Sequence, residues 1–133
     1  MKILIVEDDL TTSEMIKGIL SDYGDCDTAL NGKEGINAFK SALDNKDAYD
    51  LVCLDILMPE MDGQEMLKLI RDKEKEVGIG RDDEVKVIMV TTMDTADHVT
   101  EAYYKGGCTS YLIKPVDAKK LLVLLKAFGL VKD

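Results

Sequence analysis

A chain of 133 residues, 46% hydrophobic and 32% charged, can bury roughly two thirds of its unfolded surface in a single domain, and this composition excludes extended disorder. The formal net charge of -9 opposes binding to a phosphate backbone, which needs a concentrated Lys/Arg face, so no direct nucleic-acid partner is expected. No apolar run approaches the roughly 20 residues that span a bilayer, and Met1-Lys2 leads straight into a strand pattern rather than a signal peptide, so the expectation is a cytoplasmic protein with no membrane partner.

Apolar runs at about 2-6, 25-29, 50-54, 85-90 and 109-113 alternate with five helix-like stretches, the pattern of a parallel sheet covered on both faces by helices. After the first run, Thr11-Thr12-Ser13-Glu14 offers a capping box, and Met15, Ile16, Ile19 and Leu20 recur at helical spacing until about Tyr23-Gly24. Asn31-Gly32 opens a second helix with Ile36, Phe39 and Leu43 on its apolar face, and Asp44-Asn45-Lys46-Asp47 returns the chain to the third strand. Gly63 introduces a third helix carrying Met66, Leu67 and Ile70. The stretch from Glu74 to Glu84 is charged and contains two glycines, which predicts a helix end running into a solvated loop. A fourth helix is expected from Asp94 or Thr95, with Asp94 as cap, and a fifth over about 117-128 through Leu121, Leu122, Leu124, Leu125 and Phe128. Cys26, Cys53 and Cys108 lack the spacing of a zinc or redox motif, so all three are expected to be buried, reduced thiols. The single histidine, His98, and Tyr103 and Tyr104 are read as residues of the fourth helix.

Chemistry collects at one end of these strands. The first run, Ile3-Leu4-Ile5-Val6, ends in Glu7-Asp8-Asp9; the third, Leu51-Val52-Cys53-Leu54, in Asp55; the fourth in Thr91; the fifth, Tyr111-Leu112-Ile113, in Lys114-Pro115. In an open parallel sheet, ligands gather outside the carboxyl ends of the strands. Several acids converging there would repel one another unless a cation sat among them, so the pattern suggests a divalent metal beside a reactive aspartate. Taken singly these residues mean little, since terminal threonines, loop lysines and acids after a strand are common turn and cap residues.

Taken together, Val6-Glu7-Asp8-Asp9, the run from Leu54-Asp55 through Leu57-Met58-Pro59 to Asp62-Gly63, Val90-Thr91-Thr92 and Tyr111-Leu112-Ile113-Lys114-Pro115 resemble the receiver domain of two-component response regulators, in particular stand-alone receivers of the CheY type. The resemblance covers essentially the whole chain, read as one domain over 1-133 with no output domain. It implies a doubly wound (βα)5 flavodoxin-like three-layer sandwich with a five-stranded parallel sheet in the order 2-1-3-4-5, the strand order of CheY and flavodoxin. It also implies that Asp55 accepts a phosphoryl group from a histidine kinase. Asp8, Asp55 and the Leu57 carbonyl would bind Mg2+, or Mn2+ in its place, with Glu7 acting through water or at longer range. Asp9 is the spare acid and is read as a helix-start residue. Lys114 would neutralise charge and Thr91 would donate to the phosphoryl group. Tyr111 would swing inward, remodelling the face formed by the fourth helix, fifth strand and fifth helix for a downstream target protein. Gly63 and Pro59 would shape the loop after Asp55, and Pro115 would follow a cis peptide.

The sequence departs from the family pattern at three places. Leu57 and Met93 stand two positions after Asp55 and Thr91, where rapidly self-dephosphorylating relatives carry polar groups that orient water, so a long-lived phosphoryl state is expected. Thr92 replaces a residue that is often alanine and narrows access to Asp55, and the charged segment before Val85 lengthens its connection. Rival readings are a Mg2+-dependent phosphohydrolase with an aspartate nucleophile, which would want a second acid where Leu57 stands; a flavin-binding protein, which would want a phosphate loop where Glu7-Asp8-Asp9 stand; and a phosphorylation-silent scaffold, which the set Asp8, Asp55, Thr91 and Lys114 opposes. The chain is thus expected to be no enzyme toward outside substrates, catalysing only its own phosphoryl transfer and dephosphorylation. A phosphorelay intermediate remains an alternative to a terminal switch.

Overall fold

The computed structural model describes residues 1–58, 60–92 and 110–132. Five parallel strands, β1 (Lys2–Val6), β2 (Asp25–Ala29), β3 (Leu51–Asp55), β4 (Lys86–Thr91) and β5 (Ser110–Ile113), form one sheet in the order β2-β1-β3-β4-β5. Helices α1 (Leu10–Leu20), α2 (Gly32–Asp44), α3 (Gly63–Glu76) and α4 (Ala118–Ala127) accompany it, the last being the fifth helix of the expected order. The expected fourth helix, with Met93, Asp94, Thr95, His98, Tyr103, Tyr104 and Cys108, lies outside the described residues, as does Pro59.

Strand residues alternate between two buried cores, because successive side chains point to opposite faces of a sheet. Leu4, Val6, Val52, Leu54, Val87 and Met89 meet Ile36 and Phe39 of α2 and Met66, Leu67 and Ile70 of α3. Ile3, Ile5, Leu51, Cys53, Ile88 and Val90 meet Ile16 and Leu20 of α1 and Leu121 and Leu125 of α4. Both faces are therefore covered, which is why the central strands read as continuous apolar runs. Each such side chain, when fully buried, contributes about 1.5–3 kcal/mol.

Local chemistry sets the helix ends, and here some expectations are corrected. Asp9, not the Thr11-Thr12-Ser13-Glu14 box, caps α1: its carboxylate accepts from Thr11 N at 3.2 Å and Thr12 Oγ1 at 2.7 Å. An acid one residue before the helix satisfies its free N–H groups more directly than a box starting inside it. α1 also stops earlier than expected, at Leu20 with Ser21 as C-cap. Asn31, Asp62 and Asp117 cap α2, α3 and α4 in the same manner as Asp9. Cys53 is buried, and its thiol is pushed up to about 12 by desolvation. Cys26 is only half-buried, because β2 lies at the sheet edge.

The stretch from Glu74 to Glu84 is not simply a solvated loop. Arg71 and Glu74 are buried on the inner side of α3. Arg71 Nη1 donates to Glu74 Oε1 at 2.7 Å and to Val85 O at 3.0 Å, while Val85 N donates to Glu74 Oε2 at 2.7 Å. Two charged side chains of α3 thus bond both backbone groups of Val85, the residue that leads into β4. The exposed turn between them is pinned at both ends.

Candidate functional site

The carboxyl ends of β1, β3, β4 and β5 meet at one edge of the sheet, and backbone hydrogen bonds fix how they meet. Ile56 N donates to Val90 O at 3.1 Å, and Lys114 N donates to Thr91 O at 2.6 Å. Asp55 is the last residue of β3, one position further into the strand than the sequence reading had it, and Thr91 likewise closes β4. Both are buried, with 4% and 2% of their surfaces exposed. The Lys114-Pro115 bond is cis, as expected from the sequence.

The loop after Asp55 is held close to the strand end. Gly63 N donates to Ile56 O at 2.8 Å, and a Cβ at Gly63 would collide with the backbone of Asp55 and Ile56. Only glycine lets the start of α3 approach this closely. Within the same loop Glu60 adopts a left-handed φ of 68°, an uncommon conformation for a residue other than glycine. Leu57 N donates to Asp55 Oδ1 at 3.3 Å, so the Leu57 backbone lies beside the carboxylate while its side chain is exposed.

Glu7, Asp8 and Asp55 each offer a carboxylate oxygen within 4.8 Å of the other two. Glu7 is almost fully buried and Asp8 is exposed. Lys114 Nζ lies 2.9 Å from Glu7 Oε1 and 3.5 Å from Asp55 Oδ2. The contact with Glu7 is close enough for an ion pair but not directed as a hydrogen bond, and among the described residues Glu7 Oε1 is the buried side-chain oxygen that accepts none. Among the described residues, one ammonium beside three carboxylates leaves negative charge uncompensated. Burial first, then the hydrogen bond to and charge of Glu7, hold the Asp55 carboxyl above the ordinary carboxylate range, with Lys114 opposing them. Lys114 itself is pushed up: desolvation works against its charge, but its bonds to Glu7 and Asp55 outweigh that cost.

This donor set fits a hard divalent cation. Oxygen ligands alone, converging within one ion's coordination sphere with a deficit of positive charge and a buried oxygen lacking a hydrogen bond, are what Mg2+ or Mn2+ takes. Asp9 points elsewhere: its oxygens cap α1, and the Thr12 hydroxyl holds its carboxyl below the usual range. Thr91 Oγ1 donates to Thr92 O at 3.3 Å. Tyr111 lies near the start of β5, paired with Met89 and 43% exposed, away from the acids. The structure therefore brings Glu7, Asp8, Asp55 and Lys114 together and leaves Tyr111 apart. The feature sequence reasoning missed is the closeness of Lys114 to Glu7, for which residue spacing gives no signal.

A doubly wound sheet with acids and a lysine at its carboxyl edge defines a class, and comparison with known proteins agrees: the chain matches the response regulator receiver domain over residues 3–126 and belongs to that family of two-component response regulators. It is 35% identical over 126 residues to the chemotaxis protein CheY of Listeria monocytogenes, covering 95% of this chain and 96% of that one. It is 37% identical over 126 residues to a probable transcriptional regulator, ycf29, of Porphyra purpurea, covering 93% of this chain but only 54% of that relative. The chain thus spans about half the length of some curated relatives and nearly all of others. Among solved structures, a chain of the CheX-CheY-BeF3-Mg2+ complex from Borrelia burgdorferi superposes with a TM-score of 0.79 at 28% identity, covering 96% of this chain and 88% of that one. Among the described residues no helix is long and apolar enough to cross a membrane.

Proposed function

We propose that this receiver domain is a phosphorylation-activated switch in which Asp55 takes a phosphoryl group from the phosphohistidine of a histidine kinase. The observation that carries the reading is the convergence of Glu7, Asp8 and Asp55 beneath the ammonium of Lys114. In the transfer an Asp55 carboxylate oxygen forms the new P–O bond as the P–N bond breaks, and the electron pair and a proton return to the imidazole. Nucleophile and donor are both negative, so neutralising charge and fixed position supply the catalysis rather than proton transfer from the protein.

Asp8, Asp55 and the Leu57 carbonyl would hold Mg2+, or Mn2+, with Glu7 acting through water or at longer range. When bound, the ion would supply positive charge that offsets the negative charge of the carboxylate and of the incoming phosphoryl group. Lys114 supplies a second positive charge beside Asp55, and Thr91 donates its hydroxyl to a phosphoryl oxygen. The extra negative charge and acceptor oxygens at Asp55 draw Thr91 inward and leave room for Tyr111, changing the face made by the fourth helix of the expected order, β5 and α4. A downstream target protein reads that face in the cytoplasm, without direct contact to nucleic acid or membrane. The protein turns over no outside substrate: Leu57 stands where a phosphohydrolase would carry its second acid. Incubation with a small phosphodonor and Mg2+, followed by intact-mass measurement, tests the reading. One phosphoryl mass is expected on the wild type and none on Asp55→Asn.

A further inference from the structure

We infer that the seat of Met61 on Gly32, at the start of α2, is the positioning contact for the loop after Asp55, setting how Leu57 offers its backbone carbonyl to a divalent cation. The inference rests on the reading of Asp8, Asp55 and the Leu57 carbonyl as the cation's ligands. The loop from Ile56 to Asp62 is held at several points. Ile56 and Met58 are buried in the core, and Gly63 N ties the start of α3 to Ile56 O at 2.8 Å. Between these anchors the Leu57 side chain is exposed and Glu60 takes its left-handed φ of 68°. A residue other than glycine stays in that conformation only where its surroundings impose it. The anchor on the far side of Glu60 is Met61, half-buried against the core that α2 and α3 cover.

Gly32 makes this seat. It is the first residue of α2 and is buried. A Cβ there would stand 2.9 Å from both the carbonyl oxygen and the Cγ of Met61, well inside ordinary van der Waals separation. Its backbone lies outside the left-handed region that calls for glycine, and alanine is the better helix former, so close approach is what requires glycine here. Gly32 is itself held in place. Asn31 caps α2 by accepting from Glu34 N at 2.8 Å, and Glu34 Oε2 accepts from Leu30 N at 3.2 Å. Just before them, Ala29 O accepts from Glu7 N at 3.0 Å. The passage from β2 into α2 is therefore fixed to the end of β1, beside the acids, and the loop after Asp55 leans on it. A Mg2+-sized ion demands near-ideal placement of its oxygen ligands, so residues that set a ligand's position govern affinity without touching the ion.

The test reads Mn2+ binding directly, from the fall in the free ion's paramagnetic resonance signal, on unphosphorylated protein. The wild type is compared with Gly32→Ala, Met61→Ala, Gly24→Ala and Asp8→Asn, each checked for folding by circular dichroism at the same temperature. Gly32→Ala pushes the loop off its seat and Met61→Ala removes the side chain that fills it, and both are expected to weaken Mn2+ binding by roughly tenfold. Gly24→Ala sets a Cβ against the Met1 carbonyl at the opposite end of the sheet and is expected to bind Mn2+ within about twofold of the wild type. In labelling by a small phosphodonor, the Mg2+ concentration that gives half the maximal rate is expected to rise by the same factor in Gly32→Ala and Met61→Ala, while the rate at saturating Mg2+ stays within about twofold of the wild type. Should Gly32→Ala not fold, Met61→Ala decides. Wild-type Mn2+ affinity in Met61→Ala or in folded Gly32→Ala overturns the inference, as does an equal loss in Gly24→Ala, which would make the effect one of general stability. A wild type that binds no Mn2+, or an Asp8→Asn that binds it as the wild type does, overturns the cation site itself and the inference with it.

Discussion

Two buried ionic clusters occupy opposite ends of the central strands, and they are built on opposite terms. Before β4, Arg71 pairs with Glu74 and lies 3.9 Å from Glu84, and both carboxylate oxygens of Glu74 and the Val85 backbone are hydrogen-bonded. After β1 and β3, among the described residues, three carboxylates converge beside one ammonium, which pairs with two of them, and a buried oxygen accepts no directed hydrogen bond. A charged pair taken out of water is tolerated when its geometry is good and its remaining lone pairs are satisfied. The first cluster meets that condition internally and is complete without a ligand. The second is left, among the described residues, with a deficit of positive charge. The same residue types, Glu with a cation, thus serve as a strand anchor in one place and as a reactive edge in the other.

The sharpest way to break this contrast is to remove the central acid of the deficient cluster. Asp55→Asn is expected to abolish phosphoryl labelling completely, and also to stabilise the metal-free protein by about 1–3 kcal/mol, since it deletes an acid from a crowded buried group. Urea denaturation without Mg2+ reads the second effect; a destabilised variant would mean that the edge is not short of positive charge. The reverse is expected at the saturated cluster. Glu74→Ala takes the nearest carboxylate from Arg71 and the acceptor from the Val85 N–H, and should cost about 2–4 kcal/mol. Replacing both partners by Arg71→Met and Glu74→Leu should cost much less, because no buried charge is left behind. Equal losses from the single and double changes would show that the pair contributes through packing alone.

A pH series sharpens the contrast without mutation. The Asp55 carboxyl is raised in the folded protein, so the folded state holds its proton more tightly than the unfolded state. Stability of the metal-free protein therefore falls as pH rises from the ordinary carboxylate range toward the raised value. Added Mg2+ replaces that proton, so the gain in melting temperature from Mg2+ should grow across the same window. Asp55→Asn should flatten both trends. A metal-free stability that instead rises with pH across this window would reverse the sign of the Asp55 shift.

Much of this contrast was legible in the sequence, but unevenly. The alternation of apolar runs and helices gave the fold, and the acids at two strand ends, with Thr91 and Lys114 at two others, gave the edge, because strand direction and side-chain type are local properties. Glu74 was missed in a charged stretch read as solvated and Arg71 was not singled out, although they fall four residues after Ile70 and Leu67 respectively on the stripe that faces the core. A charge at such a position is the signal that could have found them. The Asp9 cap was visible as a helix-start acid, while the competing Thr11 box was not needed. What no local pattern could supply is the crossing of Glu7 to Lys114, since it depends on strand order and side-chain reach together.

The smallest expected effect concerns how long the filled state lasts. Hydrolysis of a phosphoryl-aspartate needs a water held in line with the leaving carboxylate. Among the described residues, one side chain beside Asp55 is that of Leu57, which is exposed and whose backbone N–H bonds the Asp55 carboxylate. A leucine offers that water no hydrogen bond. Leu57→Asn keeps a similar size, adds a donor and an acceptor, and should leave stability within about 0.5 kcal/mol, as for most exposed positions. The phosphoryl lifetime, followed by intact mass after the donor is removed, should shorten by about three- to tenfold, corresponding to about 1 kcal/mol of transition-state stabilisation. An unchanged lifetime would place control of hydrolysis elsewhere at the edge, and the deficient cluster would then be closed to water by its own packing rather than by the apolar character of position 57.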